Sequence, residues 1–163
     1  MILKKAIEKI ESSDVFKAFK KDNPDFYLAH AFTIIERVQQ EWQVGYYSKT
    51  KDKVVVFLAK KEIEKSPEEE VFKKPGKKVK ELKLANIKVG LERAIDISNK
   101  VIDEKYSAEY LTKTIVILQN LETEMYNLTL VSQSMNIINI KIDAKSGKVL
   151  SEGRQSIMGL RKE

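Results

Sequence analysis

The sequence predicts an α+β fold in two tandem units, each a helix packed on an antiparallel sheet of three to four strands. Three observations carry that reading. Apolar residues recur at three- and four-residue intervals in two stretches, which is the helical period. Each stretch is followed by segments in which apolar and polar residues alternate, the strand period. The whole order then repeats about 84 residues further on.

In the first half Leu3, Ala6, Ile7 and Ile10 form one helical stripe. Ser12 and Ser13 within ESSD offer a fresh N-cap, after which Val15, Phe16 and Phe19 continue out of phase. A kink or short second helix is expected there, closed at Asn23-Pro24 because the residue before proline disfavours helix. Strands follow, with turns near Gln39–Gln40 and Lys51–Asp52. Residues 60–78, KKEIEKSPEEEVFKKPGKK, carry blocks of charge with Pro67, Pro75 and Gly76, the chemistry of a linker. Lys80–Val89 is expected to run extended into a second helix, striped by Leu91, Ala94, Ile95, Ser98, Val101 and Ile102. Gly90 can cap it, and Glu92 suits its positive end. Further turns are expected at Leu121–Glu122, Ser134–Met135 and Lys145–Gly147, where Gly147 supplies a positive φ. The division is therefore 1–60, a charged linker 61–79, and 80–163.

Shifted by 84, DFYLAHAFTIIER falls on EYLTKTIVILQNL, and WQVGYYSKTKDKVVVFLAK on YNLTLVSQSMNIINIKIDA. Trp42, Val44 and Tyr46 meet Tyr126, Leu128 and Leu130; Val54, Val56 and Leu58 meet Ile138, Ile140 and Ile142. An ungapped duplication expects all of these on one buried face. Tyr47, Val55 and Phe57 then fall in the opposite phase, where the second half carries Val131, Asn139 and Lys141. Bare apolar residues on a wetted face call for cover. Tyr47, Val55 and Phe57 are thus the candidate interface, covered by Val71-Phe72, the second half, a second copy in a homodimer, or a partner.

The chain is 42% apolar, which argues for a folded protein. It has no cysteine and one histidine, so disulfides and thiolate zinc sites are excluded and a histidine-based metal centre has too few ligands. No cofactor is expected. Lysine and glutamate are abundant, while Gly and Pro number only 6 and 3, a balance seen in proteins from hot environments. The N-terminus lacks the apolar core of a signal peptide, because Lys and Glu interrupt it, and no apolar run approaches the ~20 residues that cross a bilayer. A cytoplasmic protein without a membrane span is expected.

His30 lies in strand phase with Phe32 and Ile34 and has no second imidazole or helically spaced carboxylate, so a structural role is expected of it. The carboxylates Glu8/Glu11, Glu68–Glu70 and Asp103/Glu104 fall in surface patterns, and no phosphate loop or nucleophile elbow occurs. An enzyme is not expected. Lys73, Lys74, Lys77, Lys78 and Lys80 could neutralise phosphates. They lack the arginine and aromatic residues that read and stack bases, and Glu68–Glu70 balances them, so nucleic acid is the weaker alternative. A small-ligand carrier, with a cavity between helix and sheet, is another.

The second half, from LERAIDISNKVIDEKY to NIINIKIDAKSGKVLSEG, resembles the PepSY domain, a cystatin-like helix lying across an antiparallel sheet. Asp143, Gly147, Lys148 and Val149 match that family's closing strand-turn-strand pattern. SSDVFKAFKKDNPD in the first half is similar to the helix, kink, NPD and strand that open archaeal PepSY-like proteins. The resemblance implies a protein- or peptide-binding module, in peptidase propeptides an inhibitory one. The first half departs from it, having KKEIEKSPEEE in place of the Asp-x-x-x-Gly turn.

Overall fold

Ser13 is where the first helical stripe breaks. Its backbone is extended (φ −74°, ψ 152°), and its hydroxyl accepts a hydrogen bond from the Phe16 amide, with Asp14 in the first turn that follows. Helix α1 (Leu3–Glu11) and helix α2 (Asp14–Asp22) therefore meet at the expected cap. The break rotates the stripe so that Phe16 and Phe19 are buried along with Ala6, Ile7 and Ile10. Ser13→Ala should cost about 1 kcal/mol in a denaturant titration, the usual loss for an N-cap.

The computed structural model describes residues 2–71 and 78–156. It divides into two units, Met1–Thr33 with Glu41–Leu82, and Ile34–Gln40 with Lys83–Glu163. After the helices come β1 (Tyr27–Glu36), β2 (Val38–Gln39), β3 (Gln43–Ser48), β4 (Lys53–Leu58), β5 (Glu64–Lys65) and β6 (Glu69–Glu70). β2 folds back on the end of β1 around Arg37, whose φ is 62°. In the first unit β1, β3 and β4 form an antiparallel meander, and β4 is paired further by β5 and β6.

The β3–β4 register corrects the expected burial. Val44 pairs with Phe57 and Tyr46 with Val55, so Val55 and Phe57 share the face of Val44 and Tyr46. Val54 and Val56 instead share the other face with Tyr47 and Gly45. The cause is turn length. Four residues separate Ser48 from Lys53, whereas in the second unit three separate Ser132 from Asn136. One extra residue in a turn inverts the parity of the whole following strand. Ser48 and Ser132, which end β3 and β8, are 84 residues apart, while Lys53 and Asn136, which begin the next strands, are 83 apart. Phe57 sits at the centre of an aromatic cluster with Phe16 and Phe19 of α2 and Tyr46, at ring-centroid distances of 5.2, 5.3 and 5.6 Å.

The linker expectation also changes. Glu64 and Lys65 pair with Leu58 and Phe57, and Glu69 and Glu70 with Val54 and Lys53. Between them the Ser66 amide donates to the Val56 carbonyl, and the Ser66 hydroxyl accepts from the Val56 amide. Residues 64–70 thus form an interrupted edge strand of the first unit, charged and broken by Pro67 as edges commonly are. The unit continues to Leu82, which is buried and donates its amide to the Leu28 carbonyl.

In the second unit the approach to the helix is not wholly extended, because a 3₁₀ turn at Leu84–Asn86 interrupts it. Buried Glu124 holds that turn, one oxygen accepting from the Asn86 amide group at 3.1 Å and the other from the Lys83 backbone. The Lys88 and Val89 amides then both donate to the Ala144 carbonyl, and the Tyr126 hydroxyl donates to the Val89 carbonyl at 2.6 Å. Helix α3 (Leu91–Lys105) follows Gly90, with Glu92 in its first turn. Strands β7 (Leu111–Asn120), β8 (Glu124–Ser132), β9 (Asn136–Asp143) and β10 (Val149–Ser156) make an antiparallel meander in sequence order. Val116, Leu128 and Ile140 define its buried face, together with Ala94, Ser98 and Ile102 of α3. At the last turn the Asp143 carboxylate accepts from the Lys145 and Ser146 amides at 2.8 Å each, and Gly147 has φ 80°, as its position predicts.

Candidate peptide-binding edge

The residues singled out from the sequence do not form one site. Val55 and Phe57 are fully buried in the core of the first unit, beneath α2. The helix is their cover, and the interface expectation for them is corrected. Tyr47 is buried on the opposite face, its ring 5.8 Å from that of Tyr27 and its hydroxyl donating to Asp52. Lys73, Lys74 and Lys77, like Phe72, lie outside the described residues, and Lys78 and Lys80 are exposed.

His30 faces Gly45 across the β1–β3 pair. Burial pushes its imidazole below the usual pKa, so the ring is neutral near pH 7. Its place is set by the glycine, whose missing side chain leaves the space that the ring fills.

Two carboxylates that the sequence reading passed over are placed alike in the two units. The Ser48 hydroxyl donates to Asp25 and accepts from the Lys51 amide in the β3–β4 turn. The Ser132 hydroxyl, beside Glu109, shares a hydrogen bond with that of Ser134 at 3.0 Å and accepts from the Asn136 amide in the β8–β9 turn. Ser134 and the Asn136 side chain also donate to Glu109, at 2.9 and 2.8 Å. Both serines are buried, and the acids stand just before β1 and β7 respectively. The Ser48 hydrogen bond holds Asp25 below the usual carboxylate range, and the Ser132, Asn136 and Ser134 hydrogen bonds do the same for Glu109. A carboxyl held low stabilises the fold at any pH above its unfolded value, and that contribution disappears as pH falls through the folded value. Ser132→Ala should therefore flatten the acid limb of stability below about pH 4.5, read by denaturant titrations across pH. An unchanged slope would contradict the assignment.

Among the described residues β10 is one end of the strand order. It pairs with β9 over seven residue pairs from Val149↔Ile142 to Ser156↔Asn136, and among the described residues no strand lies on its other side. Its side chains divide between two faces. Glu152 accepts from the Tyr106 hydroxyl at 2.7 Å and lies 3.5 Å from Lys105, at the end of α3. Arg154 lies 3.4 Å from Glu109, with its guanidinium 5.6 Å from the Tyr106 ring centroid. These contacts occupy the helix side. On the opposite face Ser151, Gly153 and Gln155 stand beside Lys141, Asn139 and Ile137 of β9. Residues of this ribbon line an open depression of ≈ 350 Å³. A Cβ added at Gly153 would meet nothing within 4 Å. The sequence reading did not single out these residues. A glycine inside a strand-like stretch was the available signal, since it marks a bulge or a close approach.

The fold is α+β, with three α-helices among the described residues and strands that pair antiparallel throughout each unit. It is similar to the crystal structure of a "putative lipoprotein" from Clostridium difficile 630, with TM-score 0.51 and 16% identity, covering 90% of this chain and 94% of that one. That likeness concerns the fold alone. No protein-family model and no curated protein matches the chain. Among the described residues no helix is long and apolar enough to cross a membrane.

Proposed function

We propose that this chain is a non-enzymatic protein- or peptide-binding module built from two PepSY-like, cystatin-like units in tandem. The acid–serine pairs support the tandem reading. Asp25 and Glu109 are 84 residues apart, as are Ser48 and Ser132, and each serine accepts from a backbone amide of the equivalent hairpin turn. Helix followed by a four-membered antiparallel meander in each unit supports it too, with residues 64–70 as the broken fourth strand of the first.

One observation carries the binding reading: among the described residues the eight-residue strand β10 has a neighbour on one side only, and its other edge lies beside an open depression. Such an edge takes an added strand through main-chain hydrogen bonds, and neighbouring side-chain spaces select the sequence. The test pans a random dodecapeptide display library against the full chain, then maps amide hydrogen exchange with the selected peptide bound. Protection should rise over residues 149–156, and binding should survive a rise in salt from about 0.05 to 0.5 M, unlike contacts made through lysine to phosphate. Protection confined to other segments, or no enriched peptide, would overturn the reading.

A further inference from the structure

The depression beside β10 specifies what kind of segment the edge would take. On the accessible face the edge strand itself contributes Ser151, Gly153 and Gln155, with Gly153 opposite Asn139 and Ser151 opposite Lys141. Neither Ser151 nor Gly153 is bulky enough to screen the row behind it. A strand laid along the outer edge of β10 would run about 4.8 Å from it, with its own alternate side chains on the same face. The side chain opposite Gly153 would find no Cβ in its way and could lie across the glycine onto Asn139. A flat ring uses such a space best, because it covers the otherwise hydrated glycine backbone of the edge. Asn139 is already fixed as a floor, its amide group donating to Asn127 at 2.7 Å and to the Leu128 carbonyl at 3.1 Å.

Charge supplies the second requirement. Lys141 is half-buried and, among the described residues, makes no ion pair. The acidic groups nearby are committed elsewhere. Asp143 is bound into the turn by the Lys145 and Ser146 amides, and Glu152 faces Tyr106 and Lys105 on the helix side. A carboxylate opposite Ser151, two positions from the ring, could reach over that small side chain to the Lys141 ammonium.

We propose that the outer edge of β10 receives an extended peptide segment with an aromatic side chain opposite Gly153 and a carboxylate two positions away, opposite Ser151. This rests on the reading of β10 as a receiving edge and adds the chemistry of its partner. A second copy of the chain is the competing occupant, and the test separates the two.

The probes are peptides selected from the random dodecapeptide library and resynthesised. The expected peptides share an aromatic residue two positions from Asp or Glu. Alanine in place of the aromatic residue should weaken binding about tenfold, a loss of about 1.4 kcal/mol. Gly153→Tyr is designed to fill the notch from the protein side, where an added Cβ meets nothing within 4 Å. It should weaken the parent peptide about tenfold and abolish its advantage over the alanine peptide. Lys141→Gln should weaken the acidic peptide about threefold and leave its amide counterpart unchanged. Peptides that protect residues 149–156 yet lack the aromatic–acid pair, or are indifferent to Gly153→Tyr, would overturn this inference and leave the edge reading standing. Failure to enrich any peptide would overturn both. A concentration-dependent dimer in light scattering that Gly153→Tyr abolishes would assign the edge to a second copy and overturn the proposed partner.

Discussion

Phe57→Ala is expected to lower the unfolding free energy of the first unit by about 3–5 kcal/mol, the range for deleting a buried aromatic side chain. Its neighbour Val56→Ala should cost only about 1 kcal/mol. The contrast follows from register. Phe57 is fully buried, with rings of Phe16, Phe19 and Tyr46 around it, while Val56 is half-buried on the other face. Deleting the ring leaves a cavity that aromatic neighbours on helix and sheet cannot both move to fill. Trp42, the only tryptophan, is buried in the same unit, so its fluorescence in guanidinium reports that unit directly. Equal losses at the two positions would mean that β4 is paired one residue away from the register described. A lysine at Phe57 should abolish folding of the unit, since an ammonium would be buried among rings with no partner.

Gly45→Val is expected to cost about 2–3 kcal/mol, and a second substitution at His30 should return a large part of it. A Cβ at position 45 would lie 2.0 Å from His30 Cε1 and 2.5 Å from Nδ1. One of the two side chains must leave its place, and overpacking of that kind destabilises by about 1–3 kcal/mol. In the doubly substituted His30→Ala/Gly45→Val chain the space vacated by the ring is available to valine. The double-mutant cycle should therefore show a coupling of about 1–2 kcal/mol, within the range for residues in contact. Additive losses would mean that the glycine is needed for its backbone and not for the ring.

His30 adds a pH dependence of definite sign. Burial lowers the pKa of its imidazole in the folded chain, so the unfolded chain binds the proton more readily. Its contribution is therefore complete above the unfolded pKa, about 6.5, and is lost as pH falls from there toward the folded value. His30→Ala should remove that part of the slope and leave the lower limb set by Asp25 and Glu109.

Local chemistry was enough to read the helices. Ser13 with Asp14 restarts the first, and the stripe through Ala94, Ser98 and Ile102 runs unbroken through α3, because caps and stripes depend on residues only a few positions apart. The Asp143–Gly147 turn was legible for the same reason. The buried face of β4 was not. Val54, Val55, Val56 and Phe57 are apolar in both phases, so alternation carries no sign, and the single residue by which the two hairpin turns differ decides it. Residues 64–70 were hidden by their charge. An edge segment keeps its side chains in water even while its backbone is paired, so composition reads it as linker.

By itself the sequence determined an α+β chain whose helix-then-strands order occurs twice, with named caps and turns, since each of those follows from neighbouring residues. Only the tertiary structure decided which side of each strand is dry, where the first unit ends, and that β10, beside Gly153, has a neighbour on one side only among the described residues. Those are matters of pairing between segments far apart in the chain, where a shift of one residue exchanges core for surface.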